Sequence, residues 1–323
     1  MVPFNGDTTV DMSLLVASFV GIFILMISVT LFLRRRAMLS KESAPTISGL
    51  LMNVICPALS FSSIARSRID VSELLAGGLI VTSELLIGVL AYSLGRWVLK
   101  LERASLGSFV LATMFGSGAL IGNALIKVIF HDNPTMVSMS TIISSLGIGV
   151  PINTIGILIA LHFGSASSEC SPLASMRRFF VEPCMLAIYA GILWLVLGIP
   201  QDGLLVETIF GACVMIGAAL PFCSAMLVGL TLEIFHIGKS AKILVACVAL
   251  ALVVEPFILK GLLGLYSIDP TVGLIAMLLT AMPSSPLCVV LAVRYGCDAE
   301  LSSKLVATTL IVSALTLPLI ALF

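Results

Sequence analysis

The sequence predicts an all-α integral membrane protein whose chain crosses the bilayer ten times. Its 323 residues are 59% hydrophobic and 11% charged, whereas soluble domains carry about 25% charged residues. The mean hydropathy is +1.18. The apolar residues form ten runs of about 20 residues each, the length at which an α-helix spans a membrane. A β-barrel would show alternating segments of about ten residues instead. The composition therefore excludes a soluble enzyme.

Short polar breaks separate the ten apolar runs. The predicted spans cover residues 12–33, 44–65, 74–95, 106–130, 137–163, 179–199, 208–232, 241–265, 272–293 and 302–323. Residues 1–11 contain Asp7 and Asp11 and no basic residue, which argues against a cleaved signal peptide. The first run is therefore expected to stay as a helix.

The loops between the spans differ in basic charge. If the N-terminus lies outside, one side of the membrane receives thirteen Lys and Arg residues and the other side four. Because cytoplasmic loops carry the excess of Lys and Arg, both termini are predicted on the non-cytoplasmic face, and the plasma (inner) membrane is the expected location.

Charge and cysteine content predict no nucleic-acid partner, metal or cofactor. The 17 basic and 17 acidic residues cancel, so no basic excess would attract nucleic acid. Most of the eight cysteines lie inside apolar runs, and no Cys-x-x-Cys or Cys/His metal spacing occurs. The cysteines are interpreted as small residues facing lipid or the core.

The chain divides into two halves of five spans. Its longest polar break, residues 164–178, lies near the midpoint. The predicted domains are therefore a first repeat at 1–163, a cytoplasmic linker at 164–178 and a second repeat at 179–323. An odd number of spans per half inserts the second repeat upside down, the inverted-repeat architecture of transporters. Both halves carry a proline in their second span, at Pro57 and Pro221.

Spans 4 and 9 carry features that break helices at matching positions. In span 4, Gly116, Gly118 and Gly122 cluster at mid-span, and glycine allows a helix to unwind at low steric cost. In span 9, Pro283 and Pro286 each remove a backbone donor. Paired broken helices indicate a binding site; close helix packing and ordinary proline kinks are the alternative. The predicted substrate-binding residues are Gly116, Ser117, Gly118, Asn123, Pro283, Ser284, Ser285 and Pro286.

Ionisable residues inside spans mark functional sites by default. Glu84 lies at the centre of span 3, and Glu255 lies in span 8 directly before Pro256. Since a buried carboxyl group can alternate between its protonated and charged forms, both are candidates for coupling to H+ or Na+; a structural hydrogen bond is the alternative. Lys127 and Lys260 either extend to the interface or attract an anionic substrate.

Neither catalysis nor a role for Glu182 in the membrane is predicted. Glu182 lies one turn from Arg177 and Arg178 and is expected to pair with them at the membrane interface.

All seven aspartates and all three histidines lie in loops or at span ends. A catalytic triad would need a base at the depth of its nucleophile, so the protein is not expected to be an enzyme.

The C-terminal part of the chain resembles the auxin efflux carrier family, which includes plant PIN-type carriers and bacterial permeases. The similarity is strongest in Ala-Met-Pro-Ser-Ser-Pro (281–286), Val-Leu-Ala-Val-Arg-Tyr-Gly-Cys-Asp (290–298) and Thr-Leu-Ile-Val-Ser-Ala-Leu-Thr-Leu-Pro (309–318). Cys-Pro-Ala-Leu-Ser-Phe (56–61) adds to it. Departures from the family pattern are Ser117 in place of Asn, Ala124 in place of Pro, and Leu287 in place of Asn.

This resemblance implies a ten-helix carrier in which the broken helices 4 and 9 cross and the substrates are carboxylates. Spans 1, 2, 6 and 7 would form a scaffold and a homodimer face. Spans 3–5 and 8–10 would form the moving crossover unit. The expected function is secondary active transport of a small organic anion by symport or efflux. The alternatives are a sodium-coupled symporter of the bile-acid type and a membrane sensor that binds a ligand without transporting it.

Overall fold

The computed structural model describes residues 6–66, 70–131, 133–165, 180–201, 203–233 and 240–320. Most of the described residues are helical, and the β-type pairing among them is one isolated bridge. The helices are α1 (Gly6–Arg35), α2 (Lys41–Ala65), α3 (Val71–Val98), α4 (Arg103–Met114), α5 (Asn123–Ile129), α6 (Pro134–Phe163), α7 (Pro183–Val196), α8 (Leu204–Thr231), α9 (Ala241–Leu263), α10 (Pro270–Thr280), α11 (Leu287–Tyr295) and α12 (Ala299–Ile320). Most of the predicted linker, residues 166–178, lies outside the described residues.

Six helices in the described part of the chain are long and apolar enough to cross a membrane by themselves. They are α2, α3, α6, α8, α9 and the Ala299–Leu317 part of α12. Two predicted spans are each split by a break, into α4 with α5 and α10 with α11. A third, α7, is only 14 residues long, whereas a helix perpendicular to the bilayer needs about 20 residues.

Local sequence chemistry fixes where several helices begin. Asp70 accepts a hydrogen bond from Val71 N and forms a capping box with Glu73 at the start of α3. At the start of α10, the exposed Asp269 accepts hydrogen bonds from Thr271 N and Val272 N. These hydrogen bonds hold the pKa of Asp269 below its ordinary value, and the one from the Thr271 backbone has the largest effect.

Prolines widen three of the long helices. The wider π-type turns Leu51–Ile55, Ser145–Gly149 and Leu250–Val254 each end two residues before a proline, at Pro57, Pro151 and Pro256. Proline has no N–H to donate, and its ring clashes with the carbonyl four residues earlier. The helix therefore accommodates the ring with a wider turn, a feature that is frequent at functional sites.

Packing joins the helices into a layered bundle with an apolar outer surface. Helix α2 packs along α7 and α8, α1 packs on α8 and α12, and α3 packs on α4, α6 and α9. An aromatic cluster of Phe61, Trp194 and Phe210 joins α2, α7 and α8, with Phe61 and Phe210 stacked at 5.7 Å between centroids. Large apolar side chains such as Leu204 and Met215 are about four-fifths exposed, as expected for a surface that faces lipid.

Candidate functional site

The two helix breaks lie side by side and pair through their backbones. Helix α4 ends at Met114, after which Phe115 is extended, and α10 ends at Thr280. Ser117 N donates to Pro283 O at 2.7 Å, and Ser285 N donates to Phe115 O at 2.8 Å. Gly116 and Ser284 form an antiparallel bridge. We call residues 115–117 and 283–285 the crossing.

The crossing satisfies most of the backbone groups that the breaks expose. The carbonyl of Ser117 accepts from Ile121 N at 2.8 Å, which starts the turn that leads into α5. Ser284 N donates to the buried Thr309 Oγ1 on α12 at 3.2 Å. Non-helical backbone at membrane depth is tolerated where protein buries it, and this crossing is buried.

Two of the glycines in span 4 allow close packing rather than an unusual backbone angle. A Cβ atom on Gly118 would lie 2.4 Å from Ile148 Cδ1 and 2.9 Å from Leu279 O, and one on Gly122 would lie 2.8 Å from Leu279 Cδ2. Gly78 on α3 has no atom within 4 Å of the same position.

This difference predicts the effect of adding one methyl group. Gly118→Ala is expected to destabilise the protein by about 1–3 kcal/mol because the backbone of Leu279 cannot move away freely. Gly78→Ala is the matched control and should leave the stability unchanged or slightly raised. Thermal unfolding in detergent measures both variants, and equal melting temperatures would contradict the close contact.

A cavity of about 230 Å³ lies beside the crossing. Its walls come from the second half of α2, the start of α5, the middle of α6, and one residue each of α8 and α11. The polar residues that line it are Ser60, Ser63, Asn123, Thr141, Ser145 and Asn153. The other lining residues are small or apolar, and no lining residue that the structure describes is charged: Cys56, Leu59, Ile64, Leu120, Gly149, Val150, Leu220 and Leu287.

Among the predicted binding residues, Asn123 lines this cavity and the others do not. Asn123 Nδ2 donates to Ser144 Oγ at 2.9 Å. Ser117, Ser284 and Ser285 are nearly fully buried in the crossing. Ser117 Oγ has no hydrogen-bond partner among the described residues. Gly116, Gly118, Pro283 and Pro286 shape the backbone behind the cavity.

The α6 wall was not predicted as a site, although its spacing carries a signal. Thr141, Ser145, Gly149 and Asn153 follow one another every four residues, so they lie on one face of a helix. On α2, Cys56, Ser60 and Ser63 form a similar face. A polar or small face on an otherwise apolar helix is the sequence signal for this cavity.

Glu84 and Glu255 are brought together behind the crossing. Glu84 on α3 is 1% exposed and Glu255 on α9 is 3% exposed; α3 packs on α9, and the two carboxyl groups interact electrostatically. Glu84 Oε2 has no hydrogen-bond partner among the described residues. Such an unsatisfied oxygen is available to a proton or a cation.

Two thiols lie near the crossing. Cys247 Sγ lies 4.0 Å from Ser284 Oγ and 3.4 Å from Thr113 Oγ1, and it interacts electrostatically with Glu255. Cys288 Sγ donates to Leu111 O at 3.3 Å and interacts electrostatically with Glu84. The glutamate pair therefore lies within electrostatic range of the side chains around the crossing.

The two predicted anion-attracting lysines lie elsewhere. Lys127 on α5 and Lys260 on α9 are exposed and do not line the cavity. Glu182 is buried and lies 3.5 Å from Arg294 Nη2. The partners that were predicted for it, Arg177 and Arg178, lie outside the described residues.

A second cavity, of about 360 Å³, lies at the starts of α4 and α12. Its charged lining residues are Lys100, Glu102, Asp298, Glu300 and Lys304. Lys304 Nζ donates to Glu300 Oε1 at 2.6 Å. Because charges of both signs face each other there and neither break contributes, the cavity beside the crossing is the candidate functional site.

Apolar membrane-length helices, two paired helix breaks and an uncharged cavity lined by both polar and apolar side chains are typical of a polytopic membrane protein of transporter type. The membrane transport protein family matches residues 14–172 and 169–321. The chain therefore belongs to this family and is an integral membrane protein, which confirms the resemblance to auxin efflux carriers. A curated relative is an uncharacterised transporter of Methanothermobacter thermautotrophicus (strain Delta H), 25% identical over 327 positions that cover 98% of each chain.

Proposed function

We propose that the protein is a secondary active transporter of a small organic anion of the carboxylate class, working by alternating access. The observation that carries this proposal is the cavity beside the crossing, whose uncharged lining combines six polar side chains with apolar ones. Its volume of about 230 Å³ is below the roughly 300–1,000 Å³ of pockets for drug-sized ligands. The cavity therefore fits a small solute.

The starts of two helices support an anionic substrate. Leu287, the first residue of α11, lines the cavity, as do Leu120 and Asn123 in the turn that begins α5. Helix N-termini carry a partial positive charge, which favours an anion nearby. Hydroxyl and amide donors of the α2 and α6 walls would complete the hydrogen bonds of a carboxylate.

The proposed architecture is ten helices in a five-plus-five inverted repeat, with both termini non-cytoplasmic. Helices α1, α2, α7 and α8 would form the scaffold, and α3–α6 with α9–α12 the moving unit. The exposed apolar faces of α7 and α8 would be available for a homodimer. Glu84 and Glu255 would couple transport to H+ or Na+.

Uptake of labelled small carboxylates into proteoliposomes tests the proposal, with and without imposed pH and Na+ gradients. Accumulation of one acid above its equilibrium level, driven by a gradient, is expected. Thermal stabilisation by an acid without flux of that acid would contradict transport and favour a sensor. Flux of bile acids only would favour the symporter of that class.

Removing the prolines of span 9 is expected to abolish binding. With both Pro283→Ala and Pro286→Ala, the backbone donors return and α10 can continue into α11, so the crossing loses its shape. Acid binding should weaken by at least about tenfold, as measured by ligand-induced thermal stabilisation. The control Pro134→Ala lies in the first turn of α6, where the missing N–H has no helical partner. If the double variant bound the acid as tightly as the wild type, the helix break would not be part of the binding site.

A further inference from the structure

One arginine connects the end of α11 to two other helices. Arg294, in the last turn of α11, donates from Nη2 to Asn53 Oδ1 at 3.0 Å and lies 3.5 Å from Glu182 Oε1. Asn53 lies on α2, and Glu182 directly precedes α7. We call Asn53, Glu182 and Arg294 the Arg294 latch. It joins a helix of the proposed moving unit to two helices of the proposed scaffold.

The Arg294 latch lies beyond one end of the cavity. On α11, Leu287 lines the cavity, and Arg294 follows seven residues later, about 10 Å along the helix. On α2, Asn53 precedes the lining residues Cys56 and Ser60. The latch therefore lies on the side of the cavity that faces Lys41, the first residue of α2.

Other contacts join the two units at this end. The buried Ser48 Oγ on α2 donates to Val290 O on α11 at 2.9 Å. The hydroxyl groups of Thr231, at the end of α8, and Ser303 on α12 form a buried hydrogen bond. The cavity is thus separated from this side of the protein by contacts between the units.

The latch leaves two of its buried polar atoms incompletely satisfied. Glu182 Oε1 and Arg294 Nε have no hydrogen-bond partner among the described residues, and the ion pair at 3.5 Å is longer than a hydrogen bond. Glu182 itself is 5% exposed. Buried polar groups are normally paired, and each exception needs a reason. A closed contact with unsatisfied atoms is less stable than a fully bonded pair, so it can open repeatedly.

We propose that the Arg294 latch is the gate that closes this side of the cavity, and that it opens in the other half of the transport cycle. This inference rests on the proposed function. Because Leu287 and Arg294 lie on the same nine-residue helix, a movement of α11 at the cavity also moves the guanidinium group. Separation of Arg294 from Glu182 and Asn53 would then expose the cavity on the side of Lys41.

A native thiol reports the state of the latch. Cys184 is fully buried, lies two residues after Glu182, and donates from Sγ to the carbonyl of Met52 at 3.4 Å, directly beside Asn53 of the latch. Its reaction with N-ethylmaleimide in proteoliposomes can be followed by mass spectrometry of the Cys184 peptide. Arg294→Gln and Glu182→Gln should each speed this labelling by about tenfold, because the closed state loses its ion pair.

Arg34→Gln is the matched control. Arg34 Nη2 lies 3.6 Å from Glu233 Oε1, a similar ion pair formed within the proposed scaffold. This variant should leave the labelling rate of Cys184 unchanged. The exchange of both charges, Arg294→Glu with Glu182→Arg, should restore slow labelling. If Arg294→Gln does not give monodisperse protein, Arg294→Lys replaces it and should label at an intermediate rate.

Unchanged labelling in Arg294→Gln, or equal acceleration in Arg34→Gln, would overturn the gate. The assay uses no substrate, so it is independent of the flux measurement. If the wild-type protein transports no acid but the latch variants label faster, the proposed function is contradicted and the latch as a closing contact is supported. Flux without acceleration would contradict the latch alone.

Discussion

Ser60→Phe is expected to reduce transport to a small fraction of the wild-type rate. Ser60 lies on α2 and lines the cavity of about 230 Å³ beside the crossing. An aromatic ring in place of the hydroxymethyl group would occupy much of that volume. If the ring costs the substrate about 1–3 kcal/mol of binding energy, as overpacking does in a core, binding weakens about 5- to 150-fold. Initial rates of acid uptake into proteoliposomes measure the effect.

Ser28→Phe is the control for this substitution. Ser28 lies on α1, is exposed, and its hydroxyl bonds only to Ile24 O of its own helix in the described structure. The same change in side chain there faces the outer surface and should leave uptake unchanged. Equal uptake by Ser60→Phe and the wild type, with both folded, would remove the cavity from the substrate path.

Glu84→Gln and Glu255→Gln are expected to abolish coupling to the driving ion without unfolding the protein. Glutamine keeps the shape of the side chain but cannot exchange a proton or provide a carboxylate to a cation. Because the two buried carboxyl groups interact electrostatically with each other, either substitution should suffice. Accumulation driven by a pH or Na+ gradient should fall to the equilibrium level, while exchange of acid across the membrane continues.

Glu207→Gln provides the matched control, since Glu207 is exposed in the first turn of α8. It should accumulate acid as the wild type does. If both buried-glutamate variants kept their wild-type dependence on pH and Na+, the pair would have a structural role only.

The helices and their breaks could be predicted because their signals are local. Apolar runs placed long helices such as α3 and α6 within about three residues of their observed ends, since burial in lipid needs continuous apolar sequence. Glycines at 116–122 and prolines at 283 and 286 indicated the breaks, because each changes the backbone at its own position. That the two breaks pair with each other is a contact across more than 150 residues, which local patterns only suggest.

The details of the site depend on such distant contacts and could not be predicted. Ser284 and Ser285 were expected to bind a ligand, but the pairing of the two extended segments buries both of them. Asn153 contributes to the cavity only because α6 turns its polar face toward α2. Similarly, Arg294 and Asn53 are 241 residues apart, and nothing in either local sequence identifies the other as its partner.

Counterflow in proteoliposomes tests the central claim, alternating access through this cavity, most directly. Vesicles are loaded with a high concentration of an unlabelled acid and diluted into a trace of the same labelled acid, without an ion gradient. The proposed mechanism predicts transient accumulation of label above its equilibrium level, because the carrier returns loaded from the inner side. Label that only rises to equilibrium, as through a channel, or that stays outside, as with a sensor, would contradict it.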